Sequence, residues 1–151
     1  MKTNILPHHG AAVLRIAIGF VMLAHAAGKI FVFTLPGTVA FFAQHGFPGW
    51  TAYPVIVAEV LGGALLVAGW GTRWVSALLI PIMIGATLVH LPNGWMFTAE
   101  GGGWEYPVFL IFALGAQVLL GDGAWALSNA RKQTVTQEGP AFAGGAARQI
   151  H

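Results

Sequence analysis

Four apolar stretches, residues 10–33, 53–70, 74–91 and 106–120, constrain this chain more than any other feature. A helix rises about 1.5 Å per residue, so about 20 residues cross the roughly 30 Å of bilayer hydrocarbon. Backbone in lipid must satisfy its own hydrogen bonds, and for segments of this length only helices do so. The fourth stretch is short and extends through flanking aromatic residues. The breaks carry turn chemistry: Pro36 and Pro48, then Gly69 and Gly71, then Pro92 and Gly101 to Gly103. Pro54 and Pro107 fall in first turns, where a missing N–H is harmless. Pro81, inside the third stretch, predicts a kink. Of the 151 residues 56% are hydrophobic and 8% charged, a balance that excludes a soluble domain. The expected fold is all-α, a polytopic membrane protein built as a bundle of four transmembrane helices.

Lys2, the first apolar run and Ala24-His25-Ala26 imitate a secretory signal peptide, but Arg15 within the apolar core argues for a retained first helix. Residues 1–123 form the expected transmembrane domain. Residues 124–151, polar and rich in small side chains, form the expected flexible cytoplasmic tail. If four helices alternate, Lys2, Arg73, Arg131, Lys132 and Arg148 all lie on one side. Basic loops stay in the cytoplasm, which places both termini there; the expected location is the plasma (inner) membrane. Trp70, Trp74 and Trp125 then mark the inner interface, and Trp50, Tyr53, Trp95, Trp104 and Tyr106 the outer one.

In that frame Arg15 lies near the inner face, whereas Lys29, Glu59, His90 and Glu105 fall in the outer half, one from each helix. At about 100° per residue Arg15, Met22, Ala26 and Lys29 share a stripe of the first helix, with His25 at its edge. An ionised side chain facing lipid costs about 2.5 kcal/mol or more at the bilayer centre, so Lys29 and Glu59 are expected to be neighbours. Ala58, Gly62 and Gly63 beside Glu59 allow close helix approach. The bland alternative makes Lys29–Glu59 a structural pair, has Arg15 snorkel to headgroups and lets His90 merely end its helix. His45 in the outer loop, and His8, His9 and His151 in the terminal segments, are expected to be solvent exposed.

The stretches RIAIGFVMLAHAAGKIF, FFAQHGFPGW, AEVLGGALLVAGWGTRW and HLPNGWMFTAEGGGWEYPVFLIFALGAQVLLGDGAW resemble the DoxX family of small four-helix membrane proteins, from Arg15 to about Leu127. By that resemblance Arg15, Lys29, Glu59, His90 and Glu105 are the family's polar signature positions. The family is associated with a terminal quinol oxidase, with a DoxD-type subunit of a thiosulfate:quinone oxidoreductase, and with thiol and superoxide defence. This chain has no cysteine, so it holds no thiol relay or Cys-ligated cluster.

The expected function is therefore a quinone-interacting component of a membrane oxidoreductase. Lys29 or His90 would donate protons and Glu59 or Glu105 would relay them, making these four the catalytic candidates. His25, Phe31, Trp104, Tyr106 and Phe109 are the candidates for holding the quinone. One alternative is a metal site of His25, His90, Glu59 and Glu105. Another is a non-catalytic accessory subunit; a transporter would need a dimer, there being no visible inverted repeat. The expected partners are the lipid bilayer and a soluble or membrane redox protein, with a homo-oligomer left open. A net charge of +2 gives nucleic-acid binding no support.

Overall fold

The computed structural model describes residues 5–129, and these are helical with no strand among them. Among the described residues five α-helices follow one another: α1 (Ile5–Ala27), α2 (Leu35–Gln44), α3 (Ala52–Ala68), α4 (Thr72–His90) and α5 (Glu105–Leu120). Helix α1 continues as one π-helical turn, Gly28–Val32, and short 3-10 turns at Gly49–Thr51 and Leu91–Asn93 adjoin α3 and α4. Three segments have the length and apolarity of membrane spans: Leu6–Val32, Gly49–Ala68 and Thr72–Asn93. The segment Glu105–Leu120 is apolar but shorter. Large apolar side chains are exposed on every long helix, including Phe20, Leu61, Leu78 and Phe112. An apolar surface this extensive is what hydrocarbon covers.

Helix α1 packs on α3, α4 on α5, and weaker α3–α4 and α1–α5 contacts close the ring. Lipid tails are as apolar as leucine, so tight packing between small residues does much of the work of association. A Cβ on Gly19 would lie 2.8 Å from the Gly63 carbonyl oxygen, and a Cβ on Gly63 would lie 2.8 Å from that of Gly19. The α1 and α3 backbones touch there because both residues lack a side chain. Gly62 instead receives the Leu79 side chain of α4, whose methyl carbons would lie 3.1 Å from a Cβ there. At the bundle's centre Ile18, Met22, Leu66, Leu79, Met83, Leu110 and Leu114 form an apolar core.

The structure adds an element absent from the expected plan. Between the first two spans lies helix α2, where only a proline-bounded loop was expected. Thr34 caps it by accepting the Gly37 N–H at 3.3 Å, and Pro36 sits in its first turn, where no amide donor is needed. Helix α1 begins at least five residues before the expected boundary at Gly10. His8 and His9 are thus helical rather than part of a loose terminal segment. His8 remains exposed, but its carbonyl accepts the Ala124 N–H at 2.9 Å, and the half-buried His9 ring meets Trp125 edge-on at 4.8 Å. Helix α4 runs on through Pro81.

Arg15 departs from the snorkelling alternative. It is fully buried, and its guanidinium donates to the carbonyls of Leu66 and Val67 at the end of α3 and of Ala124 beyond α5. Helix C-termini leave carbonyls without intrahelical partners, and a forked cation satisfies several at once. Gly69 closes α3 at φ 73°, and a Cβ there would collide with Arg15 Nη1. Ser128 N–H also returns to the Gly69 carbonyl at 3.3 Å, so the start of the expected tail lies against the bundle. Lys2, Arg131, Lys132, Arg148 and His151 lie outside the described residues.

Candidate functional site

At the end of the bundle opposite Arg15, all five helices line a cavity of about 370 Å³. The side chains that bring chemistry to it are His25, Lys29, Glu59, His90 and Tyr106. Its apolar lining includes Phe41, Phe42, Phe47, Met83 and Leu110. The polar convergence expected from separate helices is thus physical for His25, Lys29, Glu59 and His90. Glu105 lines a wider adjoining groove instead, together with Phe109.

Lys29 Nζ donates to both carboxylate oxygens of Glu59, at 2.7 and 2.8 Å. Glu59 is 1% exposed, whereas the Lys29 side chain is 21% exposed. The pair is therefore reached from the lysine side. Spacing brought it together: His25 near the end of α1 and Lys29 in the π-helical turn that continues it stand four residues apart, as do Val55 and Glu59 on α3, and all four line the cavity. Lys29 belongs to the π-helical turn, where Phe33 N–H returns to the Gly28 carbonyl at 2.9 Å, five residues back. The Lys29 carbonyl accepts the Thr38 hydroxyl of α2 at 2.9 Å. Helix α2 is thereby fastened to the segment that bears the lysine.

His90 Nδ1 lies 3.0 and 3.1 Å from the carbonyl oxygens of Gly101 and Gly102. Carbonyls only accept, so this nitrogen carries the proton and, in the neutral ring, Nε2 keeps its lone pair. Asn93 Nδ2 donates to the Gly102 carbonyl at 2.9 Å, and together the two side chains hold the glycine loop. His90 does more than end its helix. The His25 and Tyr106 rings lie 5.8 Å apart across the α1–α5 seam.

The expected aromatic walls are redistributed. Phe31 is 80% exposed and is not among the cavity's lining residues, because the π-helical turn leaves it on the outer surface. Trp104 packs edge-on against Trp95 at 4.4 Å rather than on the cavity. The walls come from α2 and the loop after it: Phe41, Phe42 and Phe47. These three and Thr38 are not among the residues expected at the site from sequence. The signal available was FFAQHGF, an aromatic-rich run too apolar for an ordinary exposed loop. His45 is exposed as expected, its Nδ1 2.8 Å from the Phe41 carbonyl.

The metal alternative does not assemble. Among the described residues no group of three or more His, Asp or Glu side chains is arranged to hold a metal ion. Glu59 is engaged by Lys29, His90 Nδ1 by carbonyls, and Glu105 faces the groove.

The family model described as DoxX matches residues 10–91, the stretch that carries Arg15, Lys29, Glu59 and His90. The chain belongs to the DoxX family. A Bacillus subtilis (strain 168) protein named "Putative oxidoreductase CatD" is 34% identical over 92 residues, which span 60% of this chain and 67% of that relative. No solved structure matches. Family membership and the three long apolar helices together make this DoxX protein a multi-pass protein of a lipid bilayer.

Proposed function

We propose that this DoxX protein is the quinone-interacting component of a membrane oxidoreductase and that the cavity receives the quinone ring. The observation that carries the reading is a half-open cavity of about 370 Å³ with apolar walls and five convergent groups able to exchange protons or hydrogen bonds. Ligand pockets typically have about 300–1,000 Å³ and this mix of walls and few polar groups. The oxidoreductase name of the Bacillus relative agrees with it.

Reduction of a quinone to a quinol takes two electrons and two protons. The electrons would come from a reduced partner protein, soluble or membrane-bound, since this chain has no cysteine to hold a thiol or cluster. The protons are the chain's task. Lys29 passes a proton to a ring oxygen as its bond to Glu59 loosens, and the resulting amine is reprotonated from its exposed side, which restores the ion pair with the Glu59 carboxylate. His90 is oriented through Nδ1–H, and its Nε2 lone pair takes a proton from the aqueous side and passes that proton on as the second one. His25 and Tyr106 position the ring from the α1–α5 side.

In this reading α5 also crosses the membrane, giving four spans with both termini cytoplasmic. The cavity then lies in the outer half of the plasma membrane, and Glu105 relays protons at its rim. A homo-oligomer would leave this intact, because one chain lines the whole cavity.

The test is quinone titration of the purified protein in lipid nanodiscs. His25→Ala with Tyr106→Phe should weaken binding about tenfold, as expected when two hydrogen-bonding groups are lost, with the folded amount unchanged. Unaltered quinone affinity in that folded double variant would remove the assignment. An accessory subunit would instead lose partner abundance while quinone binding was absent from the start.

A further inference from the structure

We infer that the quinone is taken as a membrane lipid: its polyisoprenoid tail lies in the groove on the outer face of α5 while the ring occupies the cavity. This rests on the quinone reading of the cavity and adds the class of quinone. The groove, about 970 Å³, and the cavity share His25, His90, Tyr106 and Pro107, so the two spaces meet where α1, α4 and α5 come together. Beyond that junction the groove is walled by Trp95, Phe97, Val108, Phe109 and Phe112, with the Glu105 carboxylate also on its lining.

Phe109 and Phe112 are 63% and 74% exposed on a helix whose outer face is apolar, so their rings face surrounding lipid. The cavity has room for a substituted ring and not for a tail of many five-carbon units. A tailed quinone must therefore leave the cavity along an apolar surface, and the groove supplies one that begins beside His25 and Tyr106. A molecule with one polar end and one long apolar end matches this sequence of surfaces. A small water-soluble quinone would leave the groove unused.

The experiment compares a tailless benzoquinone analogue with its long-tailed isoprenoid counterpart in nanodiscs, with the tailed form expressed as a mole fraction of lipid. Phe109→Ala with Phe112→Ala should reduce the preference for the tailed form about fivefold, the order expected for lost apolar contact, and leave the affinity for the tailless analogue unchanged. Val108→Trp, which narrows the groove from α5, should act in the same direction. Because the two phenylalanines are exposed, the double variant removes little core packing, and the tailless affinity reports directly on cavity integrity. An unchanged preference would overturn the groove while sparing the cavity, and so would equal weakening of both ligands. Failure of the tailless analogue to bind the unaltered protein would overturn the cavity reading and this inference with it.

Discussion

Lys29 forms a two-pronged ion pair with Glu59, reaching both carboxylate oxygens at 2.7 and 2.8 Å across the α1–α3 interface while Glu59 is almost completely enclosed. Removing one partner leaves an uncompensated charge, a loss of about 3–5 kcal/mol in a fully buried pair; the partly exposed Lys29 lowers that to roughly 2 kcal/mol. Lys29→Met and Glu59→Gln should each lower the unfolding midpoint in detergent. The double variant should recover part of the loss, and strict additivity in the cycle would contradict the coupling.

Arg15 is expected to be irreplaceable by lysine. One ammonium lacks the planar fork that serves the carbonyls of Leu66, Val67 and Ala124 together. Arg15→Lys should destabilise by about 1–2 kcal/mol and Arg15→Met by about 3 kcal/mol. Limited proteolysis supplies the second readout: both variants should expose the segment after Leu120 sooner than the parent protein does. Equal stability of the lysine variant and the parent would refute the three-carbonyl clamp.

Thr38 holds α2 to the π-helical turn through a single hydroxyl. Thr38→Val keeps the shape and removes the donor, at a cost of about 1 kcal/mol. Hydrogen exchange should rise in α2 and remain unchanged in α4. Uniform acceleration across the bundle would show a global loss instead of a released helix.

The orientation is checked with single cysteines, since none is native. Trp70 and Thr98 are both exposed, in the α3–α4 and α4–α5 connections. With cytoplasmic termini, an impermeant thiol reagent added to intact cells should label Thr98→Cys and reach Trp70→Cys only after permeabilisation. The reverse pattern would invert the proposed topology.

The long helices and the meeting of Lys29 with Glu59 were legible in the sequence because each follows from one strong rule. About 20 apolar residues without a break have no other stable form in hydrocarbon. Two opposite charges at matching depth also lose much less when paired than when each faces lipid. Depth can be counted along the chain, so the convergence of His25, Lys29, Glu59 and His90 at one end of the bundle could be counted too. Helix α2 could not be found this way. Its 10 residues are too few to span, and α2 rests on contacts made by distant segments, among them the Thr38 bond to the Lys29 carbonyl. The same holds for the fate of Phe31 and the choice of Phe41 and Phe42 as cavity walls, which depend on a π-helical turn and on where α2 lies across the bundle. Arg15 shows the division most plainly. Sequence placed a cation near the inner face, but only packing brought the end of α3 and the segment after α5 close enough for its guanidinium to choose three carbonyls over headgroups. Composition and periodicity mark which stretches are long and apolar enough to span a bilayer. Which side chains then face one another is decided by the close approach of helices at Gly19 and Gly63, and by backbone groups that must find partners where water is absent.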